Sequence, residues 1–200
     1  MSIPFFYPPQ PMRIWPESDL FRQLDKSPKW DAEIKYNGWR LLLFIDTKIR
    51  FFNRQGTEID VDKKPFESTL SKLPKGTVLD GELVHFRTTD LKNTIVFWDA
   101  PFYDGVDQRK KPLRVRRQLL EHFGVAPRII PKTNKFNIFR CQQFNTNMIN
   151  LYKELVVQND SLIEGVVLKH VDSIYESHQK RGMDTRHWIK VKKIGDHAKV

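Results

Sequence analysis

Apolar and polar positions alternate along much of this chain in the two-residue period of a β-strand. Around Lys35, Ala32 and Ile34 point to one side while Glu33 and Lys35 share the other. Trp39 to Ile45 is an almost unbroken apolar run, the pattern of a buried strand, and Asn37-Gly38 between the two runs reads as a tight turn. A hairpin is therefore expected from about Glu33 to Asn53. Further strands are predicted at 77–86, 94–99, 163–170 and 186–193. Ser18 can cap a short helix through Phe21 and Leu24 to about Lys26, and helices are predicted near Pro65–Leu73, 112–123 and 146–158. Residues 1–16 carry Pro4, Pro8, Pro9, Pro11 and Pro16, which exclude helix and predict an extended arm. The loop from Asp172 to Thr185 is polar enough to be expected mobile. The class is α+β, with largely antiparallel sheets flanked by helices and inner faces that form a groove.

Composition narrows the function. Two hundred residues with 40% hydrophobic content can bury a core, and a single domain over 1–200 is expected. One cysteine, Cys141, excludes an internal disulfide, fits a reducing compartment and reads as a small buried hydrophobe. The six histidines show no pairing with cysteine at zinc-ligand spacing, so no structural metal is assigned. With no signal peptide and no run of apolar residues long enough to span a bilayer, the expected location is cytoplasmic.

Charge points to the partner. Thirty-four basic against 24 acidic residues give a formal net charge of +10 and an isoelectric point of about 9.7, the footprint of a nucleic-acid-binding chain. Membrane association is not expected, because no basic amphipathic helix is present. The cations cluster at Arg109-Lys110-Lys111, at Arg114, Arg116 and Arg117, and at Lys180-Arg181 with Arg186. The first cluster can be read either as a phosphate-contacting patch or as a solvated helix start.

Five short polar segments recur along the strands, and their order matters more than any one of them. They are Glu33-Ile34-Lys35-Tyr36-Asn37-Gly38-Trp39-Arg40, Leu79-Asp80-Gly81-Glu82-Leu83, Phe97-Trp98-Asp99-Ala100, Glu164-Gly165-Val166-Val167-Leu168-Lys169 and Trp188-Ile189-Lys190-Val191-Lys192. A lone lysine before a turn is ordinarily a surface residue. Here Asp80 and Glu82 share a strand face, and Lys190 and Lys192 share another, where two repelling ammonium groups are most simply explained by an anion such as phosphate between them.

The ordered set resembles the covalent nucleotidyltransferases, which comprise ATP-dependent DNA ligases, RNA ligases and mRNA capping enzymes. In that family a lysine-x-aspartate-glycine segment carries the nucleotide, and Lys35-Tyr36-Asn37-Gly38 matches it with Asn37 where Asp is usual. The trailing Arg40 favours the DNA-ligase form. Arg54 resembles the next family arginine, Asp80-Gly81-Glu82 the third motif, and Pro112 to Leu120 the arginine-containing helix of DNA ligases. Trp98 takes the place of the aromatic ring that stacks on the purine.

The resemblance implies an ATP-grasp-like fold with a nucleotide groove, and a division of labour within it. Lys35 is the nucleophile that takes AMP from ATP, with Lys190 and Lys192 holding the α-phosphate. Glu33 accepts from the adenine amino group, Ile34, Arg40 and Arg54 border the nucleotide, Glu82 lies near the ribose, and Glu164 holds Mg2+. A lysine near its usual pKa of about 10.4 is protonated at neutral pH, so nearby cations, metal or burial must activate it. The implied partner is nicked duplex DNA, with RNA joining the alternative, and the chain is expected to act as a monomer. Capping guanylyltransferase is a more distant reading, and a non-catalytic nucleic-acid-binding domain on the same scaffold is the reading from another class.

One departure stands out. Family members generally follow the fifth motif with a small oligonucleotide-binding barrel, and the seven residues after Lys193 leave no room for one. The expectation is an excised domain or a minimal ligase, of a compactness that suits a virus or phage.

Overall fold

Two β-sheets face one another in the computed structural model, which describes residues 3–87, 91–123, 126–131, 137–158, 161–178 and 183–193. The first has the order β1 (Gln10–Ile14), β10 (Asp184–Lys192), β9 (Ile163–His170), β2 (Trp30–Tyr36). The second runs β4 (Ile49–Phe52), β3 (Trp39–Ile45), β5 (Thr77–Val84), β6 (Thr94–Tyr103), β7 (Val106–Asp107), with β8 (Asn137–Arg140) also on β6.

Alternation along the strands decides which face meets what. In β3, Leu41, Leu43 and Ile45 pack outward with Phe66 and Leu70 of α2 (Lys64–Leu70), while Leu42 and Phe44 pack inward with Val78, Tyr175 and Trp188. The outer face of the first sheet buries Ile34, Val166 and Leu168 against α1 (Asp19–Asp25) and α4 (Met148–Val157). Both faces of β5 are covered, so all eight of its residues are buried. The Ser18 hydroxyl caps α1 by accepting from the Phe21 amide, as the sequence predicts.

Several expectations are corrected. β2 and β3 do not form a hairpin: β2 pairs with β9, whereas β3 pairs with β4 and β5. Asn37-Gly38 instead carries the chain from one sheet to the other, and an added Cβ at Gly38 would lie 2.6 Å from the Leu83 carbonyl oxygen and from Glu82 Cγ. The proline-rich arm is extended, but its residues 10–14 are a sheet strand, parallel to β10. β8 is also parallel to its neighbour, a short strand that the patterning does not reveal. The predicted 112–123 helix is broken into α3 (Leu113–Gln118) and a 3-10 turn at Glu121–Phe123.

The polar loop is tied to the rest of the fold over residues 172–178. Tyr175 is buried and donates its hydroxyl to Asp80 at 2.7 Å, and His178 bridges to Tyr7. A tyrosine that finds both a buried site and a buried acceptor outweighs the polarity of its neighbours. Lys180 and Arg181 lie outside the described residues. Cys141 is buried, and burial pushes its thiol up to about 12.

Candidate active site

Lys35 stands at the end of β2 where the sheet brings three motifs onto one rung. Gly165 of β9 is paired with Lys35 on one side and with Lys192 of β10 on the other. Gly165 has φ 141°, and a side chain there would run into the Val191 carbonyl, so only glycine permits this approach. Glu164 beside it accepts from Lys35 Nζ at 2.5 Å, and Lys192 Nζ reaches the same carboxylate oxygen at 2.9 Å. Arg87 lies 3.8 Å from the other oxygen. Burial alone would raise the Glu164 carboxyl, but the two lysines outweigh it and hold it down to about 2.

Lys190 lines the same groove, half-buried, and its ammonium is pushed down by burial and then by the nearby Lys35, Lys192 and Arg13, against Asp184. The groove has a volume of about 480 Å³. Glu82 borders it, and burial pushes its carboxyl up to about 7 despite the pull of Lys35 and Arg40. Arg54, exposed beyond β4, lines the groove as well.

At the other end lies Trp98, the half-buried position in the first eight residues of β6. Its indole nitrogen has no hydrogen-bond partner among the described residues. Arg40 and Lys169 approach the Trp98 ring, at 4.8 and 5.0 Å from its centroid. Glu33 is buried there between two cations, Lys169 at 2.7 Å and Arg117.

Three sequence expectations change at this end. Arg40 borders the groove, yet its guanidinium donates from Nε and Nη2 to both Asp80 oxygens at 2.5 Å, which leaves it as a surface beside the indole. Ile34 packs its side chain into the core, so it meets the groove through its backbone. Arg116 and Arg117 are neither solvated nor free for nucleic-acid phosphates: Arg116 is fully buried and grips Asp99 at 2.7 Å with two nitrogens, and Arg117 holds Glu33. Arg109 and Arg114 pair with Asp107 and Asp172.

The structure therefore gathers Lys35, Lys190, Lys192, Glu33, Glu82, Glu164, Trp98, Arg40 and Arg54 around one groove. Sequence reasoning missed Arg87, which no pattern announces because it follows a strand end. It also missed Val167 and Lys169 as lining residues, although their alternation places both on the Lys35 side of the sheet. Pro8 to Pro11 of the extended segment form part of the wall.

Solved structures share this arrangement of sheets. A mycobacterial DNA ligase D complexed with ATP and MES superposes with a TM-score of 0.67 at 20% identity, covering 94% of this chain and 60% of that one. Chlorella virus DNA ligase-adenylate gives 0.55 at 20% identity, over 93% of this chain and 69% of the other. The fold is thus that of the ligase nucleotidyltransferase domain. Residues 86–192 match the ATP dependent DNA ligase domain, and the chain belongs to that family.

Among curated relatives, the SPbeta prophage-derived DNA ligase-like protein LigB of Bacillus subtilis is 28% identical over 178 residues, 80% of this chain and 60% of that protein. The DNA ligase of vaccinia virus is 26% identical over 81% of this chain and 31% of its own length. The chain thus spans less than two thirds of the curated relatives it matches. The family match begins after Lys35 and Glu82 and does not cover them.

Proposed function

We propose that this domain transfers AMP from ATP to Lys35 and from there to the 5′-phosphate of a nicked duplex, and so seals DNA as a monomer in the cytoplasm. The observation that carries the reading is the Lys35–Glu164–Lys192 cluster at one end of a groove whose other end presents Trp98. Those two ends suit the phosphate and the base of one nucleotide.

In the first step, Lys35 Nζ forms a bond to the α-phosphorus as the bond to the bridging oxygen breaks. Pyrophosphate leaves with that electron pair, and the amine sheds its protons to leave a phosphoramidate. Attack needs the unprotonated amine; beside Lys35 and Lys192, the half-buried Lys190 ammonium is pushed down chiefly by burial. Lys190 and Lys192 then face the charge that develops on the phosphoryl oxygens. The second step passes AMP to the acceptor phosphate, and the third expels it when a 3′-hydroxyl attacks.

Trp98 offers its ring to adenine, and its unpartnered indole N–H points to a polar group supplied by the ligand. Glu33 remains able to accept from the exocyclic amine through a free lone pair, with its position set by Arg117 and Lys169. Glu82 borders the ribose.

Mg2+ fits Glu164 by donor type: a carboxylate that stays ionised down to about pH 2 is the hard anionic oxygen ligand this ion prefers, and the ion would be taken in exchange for contacts to Lys35, Lys192 and Arg87. When bound, it would neutralise phosphate charge.

Incubation with magnesium and ATP labelled at the α-phosphate is the decisive experiment. Label on wild type and none on Lys35→Ala is expected. Absence of label with ATP refutes the reading, and a preference for GTP refutes its ligase form. Nicked duplexes with DNA or RNA on each side of the break then report the strand class.

A further inference from the structure

At the phosphate end of the groove, three rings form a contiguous array that starts at Trp39 on the groove's wall and runs outward through Phe86 to the half-buried His85. Trp39 and Phe86 stack with centroids 4.3 Å apart and planes at 30°, and His85 meets Phe86 edge-on at 4.6 Å. Trp39 is 38% exposed and Phe86 41% exposed, although both are large apolar residues next to a well-filled core. The close approach of Gly38 to Leu83 and Glu82 brings the first residue of β3 against the segment that leaves β5, which is what lets the two rings meet.

Single exposed aromatics are ordinary, but a stacked pair left open to water forgoes burial that either ring could find alone. Its flank is cationic. Arg87 follows Phe86 directly, is 53% exposed at its side chain, and reaches within 3.8 Å of Glu164. Lys92 closes over the same turn, donating to the His85 carbonyl at 2.7 Å. Contacts thus run without a gap from the rings through Arg87 and Glu164 to Lys35.

Rings with cations between and beside them are the combination that binds a nucleic-acid strand, with bases or sugars on the rings and phosphates on the cations. The ATP adenine is not taken as the occupant, because the ligase reading above assigns it to the Trp98 ring. A protein partner is disfavoured by the cationic flank and by the chain's net charge of +10. We propose that Trp39 and Phe86 form a stacking platform for the end of the acceptor strand, with Arg87 receiving its terminal phosphate and delivering it to the AMP on Lys35. The proposal rests on the ligase reading above and adds how the acceptor is seated.

Fluorescence anisotropy of a labelled nicked DNA duplex, at one fixed ionic strength, tests it with variants at one exposed position. Phe86→Ala and Phe86→Leu are each expected to weaken Kd about tenfold, the usual consequence of losing one aromatic–base stack. Phe86→Tyr keeps the ring and is expected to bind within about twofold of wild type. Recovery of wild-type Kd by Phe86→Leu would mean that the ring serves only as apolar filler, and would overturn the platform. Equal affinity across all three variants, or a wild type that does not bind the duplex, overturns it too. Labelling of Lys35 by ATP in the same preparations keeps the two claims separate: labelled protein with unchanged duplex binding across the variants removes the platform alone, whereas unlabelled wild type removes the ligase reading beneath it.

Discussion

Lys35 and Glu164 are separated by 129 residues in sequence and by 2.5 Å between Nζ and the nearer carboxylate oxygen. Each explains the other's position: the carboxylate is held ionised by the amine, and the amine is aimed along the groove by the carboxylate. Replacing Glu164 by Gln removes the charge that holds Lys35 and Lys192 together and weakens any magnesium site. The rate of lysyl-AMP formation is expected to fall roughly a hundredfold, as measured by single-turnover labelling with ATP.

Acid should expose the same pair. The folded Glu164 carboxyl sits near 2 against an ordinary 4.5, so its contribution to stability is complete above about pH 4.5 and is lost as pH falls through 2. Glu164→Gln should therefore lack this part of the acid dependence of unfolding, as followed by circular dichroism between about pH 5 and 2.

Glu82 has the opposite sign. Its carboxyl is raised from 4.5 to about 7, so the unfolded chain loses its proton first and the folded state is progressively penalised as pH rises across that window. Glu82→Gln is expected to gain on wild type by about 5 °C in Tm between about pH 5 and pH 7.5. Thermal melts across that range decide it, and a constant difference would show that Glu82 does not titrate there.

Trp98 is expected to act in binding rather than in chemistry. Trp98→Ala should raise the ATP concentration needed for half-maximal labelling about tenfold, with a smaller change in the saturated rate. An equal fall in rate with no change in half-saturation would assign the indole elsewhere.

Arg117 offers a stability test. Its removal leaves Glu33 buried with only Lys169 opposite, and truncating one member of a buried charge group costs about 3–5 kcal/mol. Urea denaturation of Arg117→Ala should show a loss of that order. Arg114→Ala, whose side chain is exposed in its pair with Asp172, should change stability by less than about 1 kcal/mol.

The sequence is most informative where a strand carries its own alternation. The faces of β2, β9 and β10 follow directly from Glu33 and Lys35, Val167 and Lys169, and Lys190 and Lys192, so the residues that line the groove can be named before the sheets are assembled. Pairing between strands is another matter. Asn37-Gly38 has the composition of a hairpin turn, yet it joins two sheets, because β9 and β5 compete successfully for the strands on either side of it. The fate of the arginines was equally hidden. Arg116 and Arg117 look like surface cations until Asp99 and Glu33, on other strands, are seen to meet them in the interior. β1 and β8 escape notice because short strands with proline or mixed residues lack a readable period.

The parallel pairing of β1 with β10 joins residues 10–14 to residues 184–191. In the order β1, β10, β9, β2, the two strands early in the sequence lie at the outside and the two late ones between them. During synthesis, β2 therefore waits for β9 and β1 waits for β10, while β3, β4 and β5 can already pair as neighbours in sequence. The half of the groove that bears Lys35 is thus the last to close, and a nascent chain cannot complete its reactive site until both halves of the first sheet have left the ribosome.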